Sequence, residues 1–409
     1  MRPESSRDDL LRTGAAGVFA GKPINKSHPT NVGRLLRLRW LVLALLASLP
    51  SCNDAPPEEP SHDEWDDKLA ERVVDYNAAL RVAALRLTGE LPTFAELKLV
   101  ATAVDDGARK TVYENMVRQY LTGPRFSRQM YRFWQDTLKM GDDPALDTAP
   151  AFLTKLAVED TSYLQALTAT GGTCPRFDPT TGAFTPGNCT NTPQTVGLLT
   201  HPGMNKHFFS NLGFRRVRWV QEIFACSAFP AEIANVATDV QGASPYTGTF
   251  PFTSIAGKAS GGRVDFRDTK SVICANCHSN INHIAPLFAH YDVNGAYSDV
   301  MAVPVPEPMN PHAERTDYLP DGERLAWRHG VPLTDMASLG TAMAADPDIA
   351  SCAIARLWNW AMGKGDIVDA SVRVPPATIE AQVAAFAANG YRLRAALLDI
   401  FTSDDFIRF

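Results

Sequence analysis

The chain has 409 residues, 45% of them hydrophobic and 21% charged, a balance that supports a sizeable core and excludes global disorder. Residues 1–52 hold eight of the 39 basic and three of the 45 acidic side chains, so the rest of the chain carries a formal net charge of −11, against −6 for the whole. An acidic body of this kind speaks against nucleic acid and anionic lipid surfaces as partners.

Residues 1–52 read as a signal region. Arg34, Arg37 and Arg39 stand ahead of the apolar run LVLALLASL, the order of a secretory signal: a basic segment, then an apolar one. The run is too short to cross a bilayer. Leu49-Pro50-Ser51-Cys52 is similar to the processing box of bacterial lipoproteins, which implies lipid attachment at Cys52. Pro50 departs from the small residue usual at its place, and ordinary secretion with an incidental cysteine is the competing reading. The basic patch lies about 30 residues in, which puts the natural start near Val32 or Gly33 and makes the residues before about 32 a start-site artefact. Residues 53–65, NDAPPEEPSHDEW, are acidic and proline-rich and read as a stiff tether.

From Asp66 the helical period takes over. Leu69, Val73, Leu80, Ala84 and Leu87 fall at spacings that fit one buried stripe, which Gly89 and Pro92 break. Thr93 and Glu96 have the form of a capping box. Further helices carry Val112, Met116 and Tyr120, then Phe126, Met130, Phe133, Trp134 and Leu138, as core stripes rather than cofactor contacts. Ala151 to Thr168 predicts one more helix, and Val196 to Phe224 a mostly helical run in which Arg215, Arg216 and Arg218 are expected on a solvated face. The C-terminus returns to helix around Ile349, Cys352, Arg356 and Trp360, again from Ile379 to Phe386, and from Leu393 to Phe406. No period-2 run predicts a strand. The expected fold is mostly α: a helical leader domain over 66–170, a loop over 171–195, a central domain over 196–320 and a C-terminal helical domain over 335–409.

The central domain holds SVICANCHSN, with Cys274, Cys277 and His278 in C-x-x-C-H spacing. On a helix these positions share one face, about one turn apart. Two thiols and an imidazole so placed suit the covalent attachment of a c-type haem, the thiols adding to the vinyl groups and His278 reaching the iron. Structural zinc is a competing reading, but it needs about four ligands, and only His283 and His290 lie close by. A thioredoxin-like redox pair would open a helix after a strand, a context this chain lacks.

Seven cysteines are present. With Cys52 lipidated and Cys274 and Cys277 on haem, an even remainder is left, as disulfide pairing in an exported protein requires. Cys174 and Cys189 bracket a loop rich in Pro, Gly and Thr and are the candidate pair; Cys226 and Cys352 would then join the centre to the C-terminal region. Four cysteines allow three connectivities.

CHSNINHIAPLFAHYDVNGAYS resembles the haem segment of the planctomycete-type cytochrome families, where C-H-x-x-I-D-P-x-G-F-x-x-E-x-F-D-x-x-G-x-Y is usual. Ile281, Tyr291, Asp292, Gly295 and Tyr297 fall in register, while Asn282 replaces the aspartate, His283 the proline, Ala285 the glycine and Ala289 the glutamate. VGLLTHPGMNKHF with FRRVRWVQEIFAC upstream, ALRLTGELPTFAEL with YLTGPRFSRQMYRFWQDTL, and ASCAIARLWNWAMGKG are similar to other segments of these families. In short motifs the resemblance covers most of residues 70–409, and it implies one covalent haem.

The second axial position decides what such a haem does. Met301 and Met309 flank a proline-rich loop and are candidates for it, with Met301 preferred; His201 and Met204 are upstream candidates. His283 and His290 are expected near the haem edge or at the surface. A closed iron gives electron transfer with a redox partner protein, for which an acidic body suits transient docking. An open one gives a peroxidase- or oxidase-type enzyme, although no Asp/Glu–His spacing has a catalytic look. The third alternative is a cell-surface binding or scaffold protein with a structural haem. All three place the chain in the bacterial cell envelope, facing the periplasm or the outside, with the lipid as its membrane anchor.

Overall fold

The computed structural model describes residues 64–141, 143–144, 146–190, 192–227, 229, 252–253, 269–270, 278, 281–304, 312–319, 322–366 and 372–409. Cys52, Cys274, Cys277 and Met309 lie outside them, as do the signal region and residues 53–63 of the expected tether. The structure is mostly α-helical. The described strands are short and form three antiparallel two-stranded ribbons. Among the described residues no helix is long and apolar enough to cross a membrane.

Residues Glu64–Phe409 form one compact unit. Helix α1 (Glu64–Ala70) takes in the last two residues of the expected tether. The stripe read across Leu69 and Val73 is corrected: they are 53% and 66% exposed, because the chain leaves the helix after Ala70 and restarts at α2 (Tyr76–Thr88). Asp75 caps that restart, its carboxylate accepting from Asn77 N–H and Ala78 N–H at 2.9 Å each. Leu80, Ala84 and Leu87 of α2 are buried as expected.

Helix α3 (Phe94–Ala101) starts at the Thr93–Glu96 capping box, closed from both sides. Helix α4 (Asp106–Tyr120) buries Met116. Helix α5 (Pro124–Leu138) buries Phe126, Met130, Phe133, Trp134 and Leu138, the stripe its sequence predicts. The single helix expected over Ala151–Thr168 is divided into α6 (Thr148–Val158) and α7 (Gln165–Thr168). Asp160 breaks it with a left-handed φ of 55°. A hairpin of β1 (Arg176–Asp178) and β2 (Ala183–Thr185) follows, with Phe177 opposite Phe184.

The run Val196–Phe224 resolves into α8 (Pro202–His207), a 3-10 turn at Asn211–Gly213 and α9 (Phe214–Phe224). Helix α9 is fixed at both ends by buried arginines. Arg216, 1% exposed, directs all its N–H groups at backbone carbonyls. Nε and Nη2 donate to Asn205 O at 2.8 and 2.6 Å, Nη1 to Phe288 O at 3.0 Å and Tyr291 O at 2.6 Å, and Nη2 also to Asp292 O at 2.6 Å. The expectation of a solvated arginine face therefore holds for Arg215 and Arg218, which are exposed, and is corrected for Arg216. Its guanidinium supplies donors to Asn205 O and Tyr291 O and adds a second one at Phe288 O and Asp292 O, which also accept from Tyr291 N–H and Gly295 N–H. Burial lowers its pKa to about 10, partly offset by Asp292, so it stays charged at neutral pH.

At the other end, Arg356 donates from Nε to Ile223 O at 3.2 Å and from Nη2 to Glu222 O at 2.9 Å, placing a cation where the α9 dipole is negative. Nη1 of Arg356 pairs with Asp366. The same end is tied covalently, Cys226 to Cys352, with the Cα atoms 5.4 Å apart.

Helix α10 (Ala285–Phe288) packs against α9. Gly213, at φ +75°, lets the backbone before α9 approach it; a Cβ there would stand 3.3 Å from Ala289 N. After α10 the chain turns at Asp292, whose Oδ1 accepts from Asn294 N–H at 2.8 Å and Ala296 N–H at 2.9 Å. The C-terminal part carries α11 (Met336–Ala344), α12 (Pro347–Ala361), α13 (Pro376–Ala388), α14 (Leu393–Phe401) and α15 (Asp404–Ile407). A hydrophobic core runs through the unit from Ala79 to Ile407.

Candidate functional site

His278 opens the stretch that leads into α10, half-buried against the first residue of α9. The Phe214 ring meets it edge-on, centroids 4.8 Å apart at 88°. Phe214 is in turn edge-on to Tyr318 at 5.7 Å, whose hydroxyl donates to Leu212 O at 3.0 Å. One helical turn on, Asn282 N–H donates to His278 O at 3.1 Å and the Asn282 side chain bonds the same residue's ring. His278 Nδ1 donates to Asn282 Oδ1 at 2.7 Å. That bond fixes the hydrogen on Nδ1 and leaves the lone pair on Nε2, the form in which imidazole binds a metal. Burial lowers the His278 pKa while the Asn282 bond opposes it, so the ring is neutral. Asn282 is 0% exposed, which keeps its amide in place.

His283 follows at once and faces elsewhere. It is 2% exposed, and Nε2 lies 2.8 Å from Glu323 Oε2. Its carbonyl accepts from Ala326 N–H at 3.2 Å, at the start of β3 (Ala326–Trp327). The surface position expected as one alternative for His283 is corrected by this burial. No Asp/Glu–His spacing in the sequence had a catalytic look, and the His283–Glu323 pair is one that spacing does not reach. The two partners stand 40 residues apart in sequence, beyond any local spacing rule. His290 is half-buried, donating from Nδ1 to Ser298 O at 2.8 Å and stacked on Tyr297 at 5.4 Å.

The register-matched residues Asp292, Gly295 and Tyr297 make the turn just described and the stacking partner of His290. Gly295 takes φ +76° and its Cα faces Pro202 O, where no side chain fits. Met301 is half-buried against the core. The next residues, Ala302 and Val303, donate to Ala289 O at 2.8 and 3.2 Å, which ties the Met301 loop to the end of α10.

His201 is 1% exposed and serves a different purpose from the axial ligation considered for it. It caps α8, Nδ1 accepting from Met204 N–H at 3.3 Å. Nε2 lies 3.1 Å from Thr148 Oγ1 and 3.2 Å from Cys174 Sγ. Both ring nitrogens are thus engaged, and burial holds its pKa down at about 3. Met204, 1% exposed, is a core residue of α8. Cys174 and Cys189 are bonded to one another, Cα atoms 5.0 Å apart, and close the β1–β2 hairpin at its base.

An open groove of 760 Å³ runs beside Cys226–Cys352, between Asp348, Arg373 and Glu380, and His278 is not among its walls. Comparison with protein-family models, with curated proteins and with solved structures finds no match.

Proposed function

We propose that the chain is an exported, lipid-anchored c-type cytochrome-like protein with one haem, held covalently by Cys274 and Cys277 and ligated by His278. The observation that carries this reading is the His278 ring: neutral, oriented by Asn282 at 2.7 Å and braced by Phe214, with the lone pair on Nε2. These residues fit a haem iron ligand. Asn282, in place of the family aspartate, accepts the Nδ1 hydrogen without adding a negative charge.

A haem held there supplies a one-electron couple. The chain's own part is to present one nitrogen in a fixed direction, with Met301 as the proposed second ligand. Electron transfer to a redox partner protein is the function that follows, the acidic body favouring rapid and transient docking. The likeness to planctomycete-type cytochromes, the division into leader, haem and C-terminal domains, lipidation at Cys52 and the periplasm-facing location belong to the same proposal.

Production with a c-type maturation system, denaturation and a pyridine haemochrome spectrum test it. One haem that stays with the denatured chain, and is lost on Cys274→Ala with Cys277→Ala, is expected. A colourless chain carrying zinc refutes it. A second reading, a haem enzyme with an open iron, draws on the buried His283–Glu323 pair, which could hold or move a proton. Ferric protein that binds cyanide and reacts quickly with peroxide would favour the enzyme. A low-spin iron indifferent to both favours the electron carrier.

A further inference from the structure

The hairpin bridge rests on a histidine that the haem reading does not use. Cys174 Sγ, Cys189 Sγ and one His201 ring nitrogen all lie within 4.8 Å of one another, a grouping that suits a cation or thiol chemistry. The tautomer decides between them. Met204 N–H points at Nδ1, so the ring hydrogen is on Nε2, shared between Thr148 Oγ1 and Cys174 Sγ. A cation at Nε2 would need that nitrogen bare and would turn an Nδ1 hydrogen against Met204 N–H. An N–H facing sulfur instead suits a thiolate.

Both cysteines are half-buried, and it is their chain neighbours that differ in exposure. Cys174 sits between buried Thr173 and buried Pro175 with His201 behind it, while Cys189 sits between exposed Asn188 and exposed Thr190. Thr173 Oγ1 lies 3.2 Å from Cys189 Sγ.

We propose that Cys174–Cys189 is a thiol–disulfide exchange site for an external dithiol, attacked at Cys189, with Cys174 as the leaving sulfur. A thiolate of the dithiol forms a bond to Cys189 Sγ. The Cys174–Cys189 bond breaks, and its electron pair goes to Cys174 Sγ, where His201 Nε2–H donates to it. The second thiol of the dithiol then attacks the mixed disulfide and leaves with the first as a cyclic disulfide. The protein has gained two electrons and two protons, and the dithiol has lost them. A leaving thiolate stabilised in this way departs faster.

The test uses the full-length protein and reduced glutathione, a monothiol that stops at the mixed disulfide. After an acid quench, peptide mapping is expected to find glutathione on Cys189 and a free thiol at Cys174. This adduct should form at least tenfold faster than any on Cys226 or Cys352, the latter only 3% exposed. Glutathione mainly on Cys174, or equal rates at both bridges, overturns the proposal. The role of His201 is read in the Cys189→Ser chain from the pH midpoint of Cys174 alkylation by iodoacetamide. A midpoint below the ~8.5 of a free thiol, raised by a unit or more on adding His201→Phe, is expected. An unchanged midpoint refutes that role. Uptake of one zinc ion by the reduced wild-type chain, lost on His201→Phe, would overturn the tautomer argument.

Discussion

His278 and His201 are each held at Nδ1 by one hydrogen bond, and the two bonds run in opposite directions. At His278 the ring donates to Asn282 Oδ1 at 2.7 Å; at His201 the ring accepts from Met204 N–H at 3.3 Å. The first leaves a lone pair on Nε2 and suits a metal, and the second leaves a hydrogen there and suits a thiolate. Residue type is shared, although His278 is half-buried and His201 fully buried. The partner decides the chemistry, and in both cases it comes from the three or four residues that follow in the chain.

The two histidines also stand on scaffolds of different strength. His278 leans on α9, whose far end is fixed by a bridge across 126 residues; His201 lies beneath a bridge across 15. In the chain-entropy model, Cys226→Ser with Cys352→Ser should cost about 5 kcal/mol and Cys174→Ser with Cys189→Ser about 3 kcal/mol. Urea denaturation of the two double variants checks the order. Equal losses would mean that the long bridge adds little to what Arg356 already holds.

Arg216 is common to both scaffolds, since it bonds Asn205 O within α8 and Phe288 O at the end of α10. Arg216→Met should cost about 3–5 kcal/mol by leaving buried carbonyls without donors. It should loosen both regions together, which hydrogen exchange of α8 and α10 would show. Loss of protection in only one of them would break the common link.

Acid should weaken the His201 region. His201 is held neutral with a folded pKa near 3, below its unfolded value of about 6.5. Its contribution is present above about pH 6.5 and is lost as pH falls towards 3, because the unfolded chain takes the proton first. A decline of a few kcal/mol across that window is expected, with the β1–β2 hairpin and α8 opening early. Urea midpoints measured between pH 7 and pH 4 test this, and His201→Asn should flatten the curve.

The smallest effect is expected at Asn282. Asn282→Leu removes the Nδ1 acceptor while keeping the bulk, and should weaken the proposed axial ligation by roughly 10–100-fold with the fold intact. Imidazole competition for the iron, followed optically, measures it. An unchanged affinity would mean that Phe214 alone orients His278.

Local patterns were legible in the sequence wherever the cause is local. The α5 stripe, the Thr93–Glu96 capping box and the helical character of the chain depend on residues within one or two turns, and reading them needed no tertiary knowledge. The C-x-x-C-H spacing is legible for the same reason, as are Cys174 and Cys189 at the ends of one loop. The stripe through Leu69 and Val73 failed because Asp75 offered the backbone a better start one turn later. What the tertiary structure alone decided lies between segments distant in sequence. Arg216 was expected to be solvated, since an arginine on a helix is usually so; the carbonyls that bury it come from residues 205 and 288–292. Glu323 meets His283 across 40 residues, and His201 meets Cys174 across 27. Local sequence fixes backbone preference and the periodicity of apolar side chains. A partner 27 or 40 residues away, such as Cys174 for His201 or Glu323 for His283, comes within about 3 Å only when the chain folds.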